Sequence, residues 1–411
     1  MFKKTIAALA VAGAFGTMAA GAVYAADVTL YGVVDLGLKY SHVDADQSGV
    51  DAVDKLEMKS GSQSGSRFGI KGAEDVGNGL KVGFQLENGF DADTGSLSPN
   101  KTRWGKPGPV CNTSRLFGRE ARVYLSGDFG EVAFGRMGTL GSGNGTYGLL
   151  GGMTPFGTSW GGSVENGTYF VGNARADNTV TYKTPTFAGF TAYAQYSFDM
   201  NTKQDTPLGQ TEGKASANRY YALGANYKVG SLDVTAVVDS YNWSNKINTY
   251  GGSDVDDALT VTLGGSYDFG VAKAYLSGQY FDNMLANDAT VAADQKDTMD
   301  TYASFGSYFN GKAFKGYSIL AGMDAPVLGG KALFAVGYTD AKDADGSDAL
   351  GKTELSRYGA SVGYTYDLSR RTNVYAVAAY YKDSVDKDAS SSHQDHDPST
   401  ATIYAGIRHT F

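Results

Sequence analysis

Residues 67–87 read RFGIKGAEDVGNGLKVGFQLE, and this stretch decides the fold. Phe68 and Ile70 alternate with Arg67, Gly69 and Lys71. After a break, Leu80, Val82, Phe84 and Leu86 alternate with Lys81, Gly83, Gln85 and Glu87. A period of two places apolar side chains on one face of a strand and polar ones on the other. Between the runs, Glu74-Asp75-Val76-Gly77-Asn78-Gly79 has the composition of a turn. The unit is an antiparallel hairpin with one apolar face.

The same unit repeats along the chain. Upstream, Val28, Leu30, Val34, Leu36 and Leu38 oppose Thr29, Tyr31, Asp35, Lys39 and Ser41, with Val33 breaking the pattern. Further short turns fall near Ser126–Gly130, Thr184–Gly189, Val229–Ser231, Asp268–Gly270, Val327–Gly330 and Leu368–Arg371. Long polar connections are expected over His42–Ser64, Asp91–Leu116, Met137–Asn173, Asp199–Ala217, Asn245–Asp257, Asn283–Lys315, Asp340–Glu354 and Asp383–Thr400. Seven hairpins, with the first strand and the last (Thr402–Phe411), make sixteen strands. Tyr302 to Phe309 could be counted as another strand. An odd total does not suit a bacterial barrel, so this run is assigned to a loop.

Short turns alternating with long loops mark a transmembrane β-barrel. A soluble β-sandwich shows the same two-residue alternation but turns its apolar faces inward, whereas a barrel in lipid turns them out. Three features favour the barrel. Aromatic residues gather near strand ends (Tyr220, Tyr221, Tyr227, Tyr364, Tyr366, Tyr380, Tyr381), as interfacial girdles require. The alternation of turn lengths persists throughout. The last strand sets Ile403, Ala405, Ile407, His409 and Phe411 on one face, ready to close onto the first.

Several of these stretches resemble the general porins of Gram-negative, particularly beta-proteobacterial, outer membranes. The matching runs are Val28–Asp35, Ser66–Asp75, Gly83–Phe90, Leu125–Gly130, Asn178–Tyr182, Phe187–Phe190 and Gly406–Phe411. The resemblance covers residues 26–411 and implies an all-β fold: a 16-stranded antiparallel transmembrane β-barrel with a long third loop folded into the lumen. It also implies a homotrimer seated among outer-membrane lipid and lipopolysaccharide, and an assembly machinery that reads the terminal Phe411. The third loop is Gly138–Gly172 here. That stretch is rich in glycine and nearly free of charge, yet Leu149, Leu150, Phe156, Trp160, Tyr169 and Phe170 call for burial. Long irregular runs inside compact domains are usually functional or disordered.

Residues 1–25 read as a signal peptide: Lys3 and Lys4, an apolar core from Ile6 to Phe15, and Val23-Tyr24-Ala25 at the cleavage site. The apolar core is too short for a membrane helix. The formal net charge of -8 becomes more negative without the leader, which argues against nucleic acid as a partner. The single cysteine, Cys111, permits no internal disulfide.

Selectivity of a water-filled barrel follows from the width of its constriction and the charges lining it. By resemblance, the wall arginines map to Arg67, Arg119 and Arg175. Alternation supports Arg67, which shares parity with Lys71, and Arg175, which shares parity with Thr179 and Thr181. Arg119 fits less well: if Ala121, Val123 and Leu125 face lipid, Arg122 points inward instead, unless the strand starts later or carries a bulge. Glu87 falls on the lumen face with Lys81 and Gln85. Where family members carry acids in the loop, this chain has Thr154-Pro155-Phe156-Gly157, and Glu165 is the only loop carboxylate. The expectation is a constriction with a net positive field that prefers anions. Asp254, Asp256, Asp257, Asp343, Asp345 and Asp348 lie in wide outer loops, where salt screens them.

No cofactor and no enzymatic chemistry is expected. His42, His393 and His396 fall in expected loops and His409 on the last strand, with no serine–aspartate partners on a shared face. Residues 343–348 (DADGSD) hint at a calcium loop, but registering Gly346 at position six puts Ala341 first and Lys352 twelfth, where acids are needed. Two functions stay open: passive diffusion of ions and small hydrophilic solutes, or a solute-selective channel or surface-interaction barrel acting through its external loops.

Overall fold

The computed structural model describes residues 27–46, 49–97, 115–158, 160–162, 168–200, 211–245, 256–285, 308–309, 312–344, 352–389 and 392–411. The signal peptide, Cys111 and Glu165 lie outside these residues, as do most of the suspected calcium loop and residues 302–307. Tyr308 and Phe309, at the end of the run considered as an extra strand, belong to no strand.

All the strands join one antiparallel sheet. In chain order they are β1 (Asp27–Asp44), β2 (Val53–Ser60), β3 (Arg67–Gly77), β4 (Leu80–Gly89), β5 (Glu120–Gly127) and β6 (Gly130–Gly138). There follow β7 (Arg175–Lys183), β8 (Phe190–Ser197), β9 (Arg219–Val229), β10 (Leu232–Asn242), β11 (Ala258–Asp268) and β12 (Lys273–Leu285). The last are β13 (Ala313–Val327), β14 (Gly330–Asp343), β15 (Lys352–Ser369), β16 (Thr372–Ala389), β17 (Ser392–His396) and β18 (Ser399–Thr410).

These segments occupy sixteen positions around a closed barrel. β2 and β3 share one position, because they pair with the upper and lower halves of the same edge of β1. β17 and β18 likewise divide one edge of β16. β1 pairs with β18 from Val33↔Thr410 to Asp44↔Ser399. Closure continues to Phe411, whose N–H and C=O both bond Gly32. No ladder edge is left along this seam, which is what allows strands to cross hydrocarbon.

All seven short turns fall where alternation places them. Two long connections do not. His42–Ser64 and Asp383–Thr400 were expected as loops, yet β1 continues to Asp44, β2 lies inside the first, and β16 and β17 fill most of the second. VDKLEMKS has only Leu56 and Met58 as an apolar row, and backbone pairing with β1 carries the strand. His42, His393 and His396 therefore sit on strands rather than in loops, with His42 Nδ1 2.9 Å from Asp54 Oδ1.

The apolar faces are outermost. Leu30, Leu223, Leu263, Leu276 and Val362 are each more than half exposed in the isolated chain. The opposite faces carry Asp35, Thr181, Gln195, Asp239, Thr262, Gln279, Thr339 and Arg357, all buried. Parity also divides the expected aromatic girdle. Tyr221, Tyr227, Tyr366 and Tyr380 lie on the outer face, whereas Tyr220 is fully covered and Tyr381 packs beneath Arg357. Consecutive residues on a strand cannot share a face.

The stretch between β6 and β7 packs against several of these residues, bonding Gln195, Gln279, Thr339 and Arg357. Its described residues contain a single 3₁₀ turn, Leu150–Gly152. Leu140, Tyr147, Leu150, Met153, Phe156, Trp160, Tyr169 and Phe170 are all buried, so the apolar core sits between loop and wall. Trp160 meets Tyr375 of β16 edge-on at 5.2 Å, and Tyr375 donates to Asp35 across the seam at 2.6 Å. Tyr169 lies over Gly337 and Gly359, which face each other across β14 and β15. A Cβ at either would come within 2.5 Å of that tyrosine. At the loop's far leg, Arg357 bonds Asp383 through Nε and Nη2 at 2.6 and 2.7 Å and reaches Thr168 O at 3.2 Å.

Two substitutions test this arrangement. Leu263→Arg on the middle of β11 should cost about 2–4 kcal/mol in lipid, although an exposed position in a water-soluble protein would tolerate it; urea titration in liposomes reads the difference. Asp383→Ala leaves a guanidinium buried without its carboxylate and should lower unfolding stability by about 3–5 kcal/mol, read by the same titration.

Candidate functional site

The charged side chains concentrate on the wall formed by β3 to β7, on the face opposite the apolar belt. Glu87, near the end of β4, gathers three partners. Arg119 Nε lies 2.7 Å from its Oε1, Arg67 Nε 3.7 Å from its Oε2, and Tyr31 donates to Oε2 at 3.0 Å. Alternation places Arg67 and Glu87 here directly. Arg119 arrives by another route: β5 begins only at Glu120, so Arg119 precedes the strand and is free of its parity. Its backbone N–H bonds Glu87 O at 3.1 Å, which brings the guanidinium alongside the carboxylate.

Arg122, the inward residue on β5, forms a second cluster. It donates to Tyr147 OH, Gln85 Oε1 and Thr146 Oγ1 at 3.0–3.2 Å and to Glu120 Oε2 at 3.3 Å. Tyr147 belongs to the loop and donates in turn to Glu131. Thr146 N–H donates to Glu120 Oε1 at 2.5 Å, so this cluster holds the loop's near leg to the wall. Burial pushes the phenols of Tyr147 and Tyr169 well above their ordinary range, which keeps both as neutral hydroxyl donors.

Arg175 does not join Glu87. Its Nε donates to Arg119 O at 2.9 Å and its Nη2 to Asn144 Oδ1 at 3.0 Å, so it links the start of β7 to the loop. Nearby, Asp177 accepts from Arg136 Nη1 at 2.7 Å and Arg115 Nη1 at 2.5 Å. Sequence reasoning missed Arg115, Arg136 and Asp177. The parity of Arg175 and Thr179 already put Asp177 on the inner face, but nothing in one strand's pattern announces a partner sixty residues away.

Exposure separates these guanidiniums. The side chains of Arg67 and Arg119 stay 22% and 18% accessible, against 7% for Arg122 and Arg136. Arg67 and Arg119 therefore present charge to open space, while the others are enclosed by their partners. Guanidiniums outnumber carboxylates across this wall, and the described part of the loop, residues 138–158, 160–162 and 168–172, contains no acid at all. Among the described residues no group of histidine, cysteine or acidic side chains is arranged to hold a metal ion.

The closed barrel, its outward apolar faces and this charged inner wall agree with comparison to known proteins. The family model for Gram-negative porins matches residues 7–386. An outer membrane porin protein of Bordetella pertussis is 33% identical, with all of both chains aligned. Outer membrane porin protein 32 of Delftia acidovorans is 31% identical over 95% of this chain and 91% of its own length. Among solved structures, the anion-selective porin from Comamonas acidovorans superposes with a TM-score of 0.60 at 27% identity, covering 94% of this chain and all of that one. The chain belongs to the Gram-negative porin family and is a channel-forming β-barrel of the outer membrane.

Proposed function

We propose that the loop Gly138–Gly172 is the constriction of the channel, and that its field favours anions over cations during passive diffusion of ions and small hydrophilic solutes. One observation carries this reading: the guanidiniums of Arg67 and Arg119 stay partly accessible on the inner wall, while the described residues of the loop hold no carboxylate. In a narrow space with low-dielectric walls, unopposed charge focuses the field and raises counter-ion concentration. Arginine keeps its charge at any working pH. Glu87 tempers the field by sitting between the two arginines. Glu165 enters the reading as the one acid able to oppose it, and Arg175 as a brace for the loop. The anion-selective character of the Comamonas porin supports the same sign.

The rest of the reading follows the family. The chain acts without catalysis or cofactor, as a homotrimer in lipid and lipopolysaccharide, with residues 1–25 removed on export and Phe411 read during assembly. N-terminal sequencing of protein extracted from outer membranes should begin at Ala26.

Reversal potentials across a KCl gradient in a planar bilayer test the selectivity. The wild-type channel should give the sign of faster chloride permeation. Arg67→Ser with Arg119→Ser should lower the chloride-to-potassium permeability ratio about fivefold, since a unit charge about 4 Å away in a water-like medium is worth about 1 kcal/mol. A potassium-selective sign in the wild type overturns the proposal.

A further inference from the structure

Asp239, on β10, lies outside the arginine wall and takes no part in the pore chemistry above. It is a buried carboxylate, only 1% exposed, and no cation appears among its bonding partners. Three hydroxyls donate to it instead. Tyr220 of β9 reaches Oδ2 at 2.7 Å and Tyr241 reaches the same oxygen at 3.3 Å, while Thr260 of β11 donates to Oδ1. Because each tyrosine hydrogen is committed to the carboxylate, each phenolic oxygen turns a lone pair away from it. Those lone pairs are used by the loop. Gly141 N–H donates to Tyr220 OH at 3.2 Å, and Asn173 N–H donates to Tyr241 OH at 3.0 Å.

Gly141 lies in the loop's first leg and Asn173 directly follows its last residue, Gly172, so the two ends of the loop meet here. Thr139 Oγ1 donates to Asn173 O, and Ser142 Oγ donates to Ala174 O at 3.1 Å. One carboxylate thus fixes both legs through two phenols. The fit is close: a Cβ on Gly141 would lie 2.1 Å from Asp239 Oδ2. Tyr220 and Tyr241 are fully covered, their ring centroids 5.1 Å apart, and Trp243 stacks on Tyr241 at 5.7 Å.

We propose that Asp239 is the positioning residue of the constriction: by orienting the Tyr220 and Tyr241 hydroxyls it holds both legs of the Gly138–Gly172 loop at the wall and so sets the width and steadiness of the channel. This rests on the reading of that loop as the constriction. Asparagine at 239 keeps the shape but puts an amide donor where hydroxyls donate, so at least one phenol loses its orientation. Phenylalanine at 241 keeps the ring stack and removes the hydroxyl that donates to Asp239 and accepts from Asn173.

The test uses full-length channels in a planar bilayer, in a Cys111→Ser background carrying Gly152→Cys. A Cβ at Gly152 meets nothing within 4 Å, so a thiol there is open to a sulfonated methanethiosulfonate. A fall in conductance on labelling establishes that the loop borders the path. Asp239→Asn and, separately, Tyr241→Phe should then each raise open-channel current noise at least about twofold and change single-channel conductance, as expected when a buried bond that fixes the loop is lost. Heat-modifiable migration on gels shows that each barrel has folded. If labelling lowers conductance but both variants conduct as quietly as the parent, the Asp239 proposal is overturned while the constriction stands. If labelling leaves conductance unchanged, the constriction reading fails, and the Asp239 proposal with it. A role in barrel stability alone would shift the unfolding midpoint and leave the noise of the folded channel untouched.

Discussion

A chain that crosses hydrocarbon must pair all of its backbone N–H and C=O groups within itself, and here the β1–β18 seam meets that requirement. Without the register from Val33↔Thr410 to Asp44↔Ser399 the sheet would present two open edges to lipid. Closure also fixes which way every side chain faces. Once the sheet is a cylinder, the period-two rows must separate into one set outside and one inside, and the outer set must be the apolar one.

The interior then poses the opposite problem. A cylinder of sixteen positions is too wide for wall side chains to fill, and the loop between β6 and β7 packs against inward residues of several strands from β8 to β15. It is held by dispersed polar anchors rather than by one patch: Gln195 and Gln279 bond its backbone near the neck and at Val171, and Ser318 and Thr339 donate to Tyr169 O. Each such bond adds about 0.5–1.5 kcal/mol, while the buried aromatic rings supply apolar area. The glycines opposite Tyr169 show that wall and loop are shaped to one another. Gly152 itself is exposed, between the buried side chains of Leu150 and Met153.

Much of this was legible in the chain itself. Alternation located all seven short turns and put Arg67, Glu87, Arg175 and Arg122 on the inner face, because parity is a local property. The polar outer segments read as loops for the same reason: in VDKLEMKS the alternation spans only Leu56 and Met58, too short a signal until its partner, the upper half of β1, is known. Arg119 was ambiguous because its side-chain direction depends on where β5 starts, a detail set by pairing with β4. The clamps could not be read at all. Asp239 with Tyr220, and Arg357 with Asp383, join residues on neighbouring strands whose register no single strand specifies, and Tyr375 reaches Asp35 only after the barrel has closed.

The central claim is that apolar rows meet lipid and polar rows meet water within one closed cylinder. Nitroxide labels at Phe68 and Lys71, three residues apart on β3 and on opposite faces, test it most directly in vesicles of the Cys111→Ser protein. The account predicts that the label at Phe68 collides mainly with membrane-dissolved oxygen and the label at Lys71 mainly with a water-soluble nickel chelate. The reverse order, or equal access of the chelate to both sites, would contradict it.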